Sequence, residues 1–277
     1  MTEYGQGNSD RPTLSIVIMT KDEALNIDAC LESCTFADER IVADTGSTDR
    51  TRELAKQHGA TVVELDWDGF GQTKGRALEL ATGDWVLSLD ADERIPPALA
   101  EEILSTIAKP DADGYELPRR SFFLGHEMRH GGWDRDWVLR LMKRTLFSVS
   151  GDTVHEKIIV NGPVRRLYHP LDHHTNPTFA GYLAKIDLYS TLAAEKIAAD
   201  PNRRAGLAPG IRHGLAAFVK KYLLQRGFLD GTHGALLAVS TGYEKFLRYT
   251  KAGLIRSGHA ATVSRTRLSV SGHKPSD

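Results

Sequence analysis

Trp85-Val86-Leu87-Ser88-Leu89-Asp90-Ala91-Asp92-Glu93 (WVLSLDADE) is a short apolar run that passes without a turn into a cluster of acids. A continuous apolar run of this length, closed by charge, reads as a strand buried on both faces, as in a parallel sheet. Upstream, residues 14–19 (LSIVIM), 40–43 (RIVA) and 60–65 repeat the pattern. Between them, residues 24–34, 51–58 and 71–81 carry helical spacing, with Leu25, Ile27, Leu31 and Cys34 forming the first stripe. Gly59 and Gly83 close the second and third of these helices, and residues 96–108 form another. Strands alternating with helices predict a parallel sheet with right-handed crossovers. Ligands of such sheets bind beyond the carboxyl ends of the strands, so Asp44 and Asp90, each ending a strand, should face one crevice.

After residue 113 the pattern changes. Short extended segments at 114–117, 145–149 and 157–160 lie between Gly, Pro and charged turns, predicting an irregular β-rich half. Residues 179–199 read as a long amphipathic helix, broken by Asp200-Pro201-Asn202; helices at 215–228 and 235–250 follow. The expected organisation is a disordered 1–12, a catalytic domain over 13–200 (halves 13–110 and 111–200), a basic helical extension over 201–257 and a disordered tail over 258–277.

With 277 residues, 41% apolar, the chain can bury a sizeable core. Its net charge of -1 is unevenly spread: residues 201–277 hold thirteen Lys or Arg against three acids, a net of +10, which leaves -11 on residues 1–200. A basic end on an acidic chain suits an anionic surface, such as lipid headgroups or a phosphorylated acceptor, as well as a plain solvated face. No nucleic-acid partner is expected. Cys30 and Cys34 make neither a disulfide framework nor a zinc set, and read as packing residues of a reduced, cytoplasmic protein. The polar N-terminus lacks an apolar signal region, and no run approaches the ~18 apolar residues that cross a bilayer.

Two carboxylates one residue apart at a strand end suit a hard divalent cation, Mg or Mn, held by few protein ligands and completed by substrate phosphates. Such a cation acts as a Lewis acid on a departing phosphate. The spacing of His169, His173 and His174 is not that of a zinc motif, so structural or acceptor-side roles are expected for them.

The ordered set LSIVIMTKDEALNI (14–27), IVADTGSTDRT (41–51), WDGFGQTKGRAL (67–78), DWVLSLDADE (84–93), GGWDRDWVLRL (131–141), VHE (154–156) and GFLDGTHG (227–234) resembles family 2 glycosyltransferases of GT-A fold. The subgroup with bacterial lipopolysaccharide core β-1,4-glucosyltransferases is the most similar. The resemblance implies an α/β fold: a GT-A type, Rossmann-like, mostly parallel sheet, with an irregular β-rich acceptor half and C-terminal amphipathic helices. It implies an inverting hexosyltransferase that uses a UDP-sugar, foremost UDP-glucose, a divalent cation, and a saccharide or lipid-linked saccharide acceptor of the cell envelope.

By the same resemblance, Thr20, Lys21 and Glu23 line the uridine pocket and Asp44 contacts base or ribose. Position 45 is Thr, where many relatives carry a second aspartate that reads uracil. Lys74 approaches the diphosphate, Asp90 faces the ribose, and Asp92 ligates the metal alongside it. Arg140 holds a phosphate or the base carboxylate.

Single displacement needs a carboxylate base near the acceptor, and Asp134, Asp136, Asp152 and Glu156 are the candidates. Glu156 matches the subgroup's His-Glu pair and is preferred; Asp136 is the alternative. A structural ion pair between Glu156 and Arg140 is the competing reading. Trp133 could stack on an acceptor sugar, and His155 assist at the diphosphate or acceptor. Residues 212–257 suit peripheral contact with the cytoplasmic face of the inner membrane, which predicts salt-sensitive binding to anionic vesicles, lost on deleting 212–277. A nucleotidyltransferase and a catalytically inactive nucleotide-sugar-binding protein are the rivals; the glycine-free loop Thr20-Lys21-Asp22-Glu23 counts against the first and the retained acids against the second.

Overall fold

The computed structural model describes residues 11–133, 136–149, 158–176 and 178–258. They divide into two compact units: one holds the chain up to Arg119 together with Trp137–His173, the other Arg120–Asp136 and the chain from His174.

The first unit is built on β1 (Leu14–Thr20), β2 (Glu39–Asp44), β3 (Thr61–Glu64) and β4 (Trp85–Asp90), connected by α1 (Ile27–Glu32), α2 (Thr51–Gln57) and α3 (Phe70–Glu79). These strands lie in the order β3-β2-β1-β4, all parallel, with Ile16 beside Arg40 and Leu87 in register. The two-residue period of a strand explains their unbroken apolar runs. Leu14, Ile16, Ile18, Leu87 and Leu89 enter one core, with Ile27, Cys30 and Leu31 of α1 and Leu99, Ile103 and Ile107 of α4 (Pro97–Ala108). Val17, Ile41, Ala43 and Val86 enter the other, with Ala77 and Leu78 of α3. A sheet covered on both faces has no polar face to alternate with, as expected for parallel strands.

Beyond β4 the sheet turns antiparallel. After β5 (Glu93–Arg94) come β6 (Gly114–Phe123), β7 (His126–Glu127) and β8 (Trp137–Lys143). Strand β8 lies between β4 and β6 and is antiparallel to both, with Leu141 opposite Leu87. No strand is predicted there, because Arg140 and Lys143 interrupt the apolar run; Arg140 is nonetheless buried, and its charge is answered inside the fold. Then follow β9 (Phe147–Val149) and β10 (Ile158–Val160), paired as a small sheet, β11 (Val164–Arg166) parallel to β6, and β12 (Leu171–Thr175), antiparallel to β5. The architecture is α/β with a mostly parallel central sheet and C-terminal helices, as the sequence predicts.

The second unit contains α5 (Phe179–Ala199), α6 (Leu207–Val219) and α7 (Gly231–Arg256). The Thr178 hydroxyl accepts from the Gly181 N–H and caps α5 at its predicted first residue. The next helix differs from its predicted span of 215–228. It starts eight residues earlier, at Leu207, ends at Val219, and continues as a π-turn over Lys220–Leu224. Arg226 then takes a left-handed φ of 57° and a short 3-10 turn over Gly227–Asp230 leads into α7. Apolar spacing persists through 222–224, so periodicity does not reveal the break. Leu25, placed by spacing on the α1 stripe, precedes the helix and is exposed.

Candidate active site

The carboxyl ends of β1, β2 and β4 are adjacent: Thr20 pairs with Asp44 and Met19 with Asp90. The two acids thus lie at the same end of the sheet, where the alternating pattern predicts that ligands bind.

Two loops form one wall. Asp22, in a left-handed conformation, accepts from the Thr48 N–H at 2.6 Å. Its own N–H donates to Ser47 Oγ, while the N–H groups of Glu23 and Ala24 donate to Thr51 Oγ1 and Asp49. The loop after β1 is thus laced to the loop after β2. Glu23 is buried and accepts from Asn26 at 2.7 Å; Lys21 is half-buried. Thr20 is buried, and its hydroxyl has no hydrogen-bond partner among the described residues. A buried hydroxyl in that state is what a ligand contact would satisfy.

Asp44 is fully buried, and its carboxylate accepts from the N–H groups of Gly46 and Ser47 and from the Ser47 hydroxyl. Those donors hold Asp44 to its own turn, at the strand end next to Thr20.

The acidic triplet is held from beneath. Glu93 is fully buried at the start of β5; it accepts from the Asp90 N–H at 3.0 Å and from Arg140 Nη2 at 2.5 Å, with Arg119 Nη1 3.7 Å away. The same Arg140 Nη2 also donates to Asp90 Oδ2. Burial works against the Arg140 charge, yet Asp90 first and Glu93 next outweigh it and raise its pKa above the ordinary guanidinium value. Arg140 is therefore a buried bracket across two carboxylates. The other oxygen of Asp90 lies 3.7 Å from Lys74 Nζ on α3. Lys74 thus sits at the triplet and not on an outer helix face.

Asp92 and His173 are both nearly fully buried, with Nε2 3.4 Å from Asp92 Oδ2. The β5–β12 register places His173 opposite Glu93 and so beside the triplet. A carboxylate and an imidazole this close fit adjacent positions on one divalent ion, with remaining positions left for water and phosphate. Among the described residues no group of three or more such donors occurs. Below the site, Cys30 Sγ lies 3.7 Å from the Asp90 carbonyl, and both cysteines are free and buried. The Cys34 contact, and then burial, push the Cys30 thiol well above its usual pKa, so it is an inert packing group.

Glu156 and His155 lie outside the described residues. Asp136 and Trp133 belong to the second unit. Asp136 is half-buried there, and Trp133 packs edge-on to Phe123 at 5.9 Å in a cluster with Met128 and Leu237.

Sequence reasoning gave no role to Glu93 or Arg119, and read His173 as structural or acceptor-side without placing it beside the triplet. Glu93 continues the acidic run and draws no notice beside the Asp-x-Asp spacing. A signal for His173 did exist: in Leu171-Asp172-His173-His174-Thr175, alternation places His173 on the buried face with Leu171 and Thr175.

An uncharacterized glycosyltransferase of Rickettsia conorii is 26% identical over 253 residues, covering 86% of this chain and 89% of that one. The lipopolysaccharide core biosynthesis glycosyltransferase LpsC of Rhizobium meliloti is 29% identical over 192 residues, or 66% of this chain and 71% of the relative. Among solved structures, glucosyl-3-phosphoglycerate synthase of Mycobacterium tuberculosis, crystallised with Mn2+, uridine-diphosphate-glucose and glycerol 3-phosphate, overlaps at 27% identity and a TM-score of 0.34. That overlap spans 40% of this chain and 44% of that structure, too little to bear on fold or ligand. The model of glycosyl transferase family 2 matches residues 15–169, which include the laced loops, Lys74, the acidic triplet and Arg140. With more than half of its length matched, the chain belongs to glycosyl transferase family 2.

Proposed function

We propose that the protein transfers a hexose, foremost glucose from UDP-glucose, to a saccharide or lipid-linked acceptor of the lipopolysaccharide core or a related envelope glycan, with inversion by single displacement. The observation that carries the reading is the Asp92–His173 pair beside an Asp90 oriented by Arg140 and Lys74, at the carboxyl ends of parallel strands. Family membership and the likeness to LpsC support the reaction class and the acceptor class.

Asp92 and His173 would hold Mg or Mn, which when bound neutralises charge on the departing diphosphate. Lys74 adds a fixed positive charge on the same side. Arg140 and Glu93 keep Asp90 in one rotamer, so a ribose hydroxyl meets a preoriented acceptor. Thr20, Lys21 and Glu23 form the nucleoside wall. Glu156 takes the acceptor proton, with Asp136 as the alternative base. The basic C-terminal helices hold the chain at an anionic membrane surface, on the cytoplasmic face, where a lipid-linked acceptor would be met.

The test is UDP release from UDP-glucose, UDP-galactose and UDP-N-acetylglucosamine with Mn2+, with and without a core oligosaccharide. Slow release without acceptor, stimulation by acceptor and loss on adding EDTA are expected. Pyrophosphate formation would support a nucleotidyltransferase instead. Absence of any turnover, despite UDP-sugar binding, would support a catalytically inactive binding protein.

A further inference from the structure

In a water-soluble helix pair the large apolar side chains fill the seam between the helices. The pair α6–α7 fills only part of its seam that way, with Phe218 and Phe246 packed against glycines. A Cβ on Gly210 would lie 2.9 Å from the Phe246 carbonyl, and one on Gly214 2.9 Å from the Gly242 carbonyl. A Cβ on Gly253 would lie 2.5 Å from Gly206 Cα. These contacts run in opposite order along the two helices, so the pair is antiparallel.

Five exposed apolar residues each follow a seam glycine by one position: Leu207, Ile211 and Leu215 on the first helix, Tyr243 and Leu254 on the second. One residue is a turn of about 100°. In an antiparallel pair that step from the seam leads to the same side on both helices. The glycine seam therefore places these side chains on one face, and Val219, Leu223 and Leu224 extend it.

The charge nearby has one sign. Residues 201–258 carry ten Lys or Arg and two acids. Asp230 is buried and held by His130, and Glu244 is held by Arg248, whereas Arg203, Arg204, Arg212, Lys220 and Arg226 are exposed. Small residues in a helix seam with aliphatic residues outside it is the arrangement that packing in hydrocarbon favours. Among the described residues no helix is long and apolar enough to cross a membrane, so such a face would lie in the bilayer plane.

We propose that the α6–α7 pair rests in the interface of an anionic bilayer, with Leu207, Ile211 and Leu215 inserted among the acyl chains and the exposed arginines and lysines at headgroup level. A second copy of this chain suits the face less well, because pairing two such faces would bring like charges together. The inference deepens the membrane-surface reading above and rests on it.

The test is co-sedimentation of the full chain with phosphatidylcholine vesicles, with and without phosphatidylglycerol, at 50 and 500 mM salt. Wild type should bind the anionic vesicles at least tenfold more tightly at 50 mM, and retain part of that binding at 500 mM. Ile211→Ser/Leu215→Ser replaces exposed side chains and should keep its circular dichroism and melting temperature while losing at least tenfold in vesicle affinity. If that variant binds like wild type while Arg212→Gln/Lys220→Gln/Arg226→Gln does not bind, charge alone holds the chain; the insertion is then wrong and the surface reading stands. If wild type ignores anionic vesicles at 50 mM salt, both fail. A dimer in sedimentation velocity that dissociates in Ile211→Ser/Leu215→Ser would assign the face to self-association and overturn the inference.

Discussion

Replacing Glu93 by Gln tests whether the buried bracket, and not only Asp90 and Asp92, makes the site. The substitution keeps side-chain volume and a carbonyl acceptor but removes a negative charge that lies 2.5 Å from Arg140 and 3.7 Å from Arg119. At an effective dielectric of about 20, those two attractions amount to roughly 7 and 4 kcal/mol. The cost of drying the carboxylate offsets much of this, and breaking one side of a buried ion pair typically costs ~3–5 kcal/mol. At roughly 2–4 °C per kcal/mol, the melting temperature should fall by about 6–20 °C. Arg140 would then answer to Asp90 alone and draw it from its present rotamer, so the KM for the nucleotide sugar should rise more than kcat falls. Adding Arg140→Met removes the half-paired cation, and the double variant should be more stable than the sum of the singles by about 1–3 kcal/mol. Thermal unfolding of the four proteins, with donor kinetics for each, completes the cycle. A Glu93→Gln protein that melts within about 2 °C of wild type with an unchanged donor KM would refute the bracket.

Asp92→Ala should lower the transfer rate at least ~100-fold, since several kcal/mol of transition-state charge stabilisation are at stake. His173→Ala should weaken Mn2+ binding about tenfold or more in a calorimetric titration of protein plus UDP, a readout separate from turnover. Gly83→Ala would set a Cβ 2.8 Å from Ser15 Oγ and 3.1 Å from the Thr13 carbonyl, at the base of β1, and should cost about 1–3 kcal/mol by denaturant unfolding. Acid should destabilise the fold through carboxylates whose folded pKa is depressed. Burial alone would raise Glu39, but donors from Ser15 and Thr82 outweigh it; Thr13 lowers Asp84 through its N–H and its hydroxyl. A depressed folded pKa contributes stability above the ordinary values of 4.5 and 3.8, and loses it as pH falls through the folded values. Melting temperature should therefore be level from pH 8 to about 5.5 and fall below about pH 4, with a shallower fall in Asp84→Asn.

The central sheet was legible in the sequence because burial on both faces leaves a local record. Residues 14–19, 40–43 and 85–89 have no choice of face, so they are apolar but for Ser15, Arg40 and Ser88, and their turns are marked by Gly46, Gly59 and Gly83. Asp44 and Asp90 could be placed at strand ends for the same reason. Strand β8 was hidden because Arg140, a charge in mid-run, argues against burial unless its partners are known, and those partners are 47 and 50 residues away. The end of α6 was hidden because a π-turn and one left-handed residue leave apolar spacing unbroken.

The sequence by itself determined the α/β alternation, the crevice at the strand ends and the acids that face it, since each follows from local periodicity and turn chemistry. Tertiary structure alone decided what each acid is paired with. It set Asp44 against donors of its own loop, bound Glu93 and Asp90 to one arginine, and brought His173 across 81 residues to Asp92. Desolvation and pairing of charge depend on which distant strands become neighbours, and the spacing of residues along the chain does not encode that pairing.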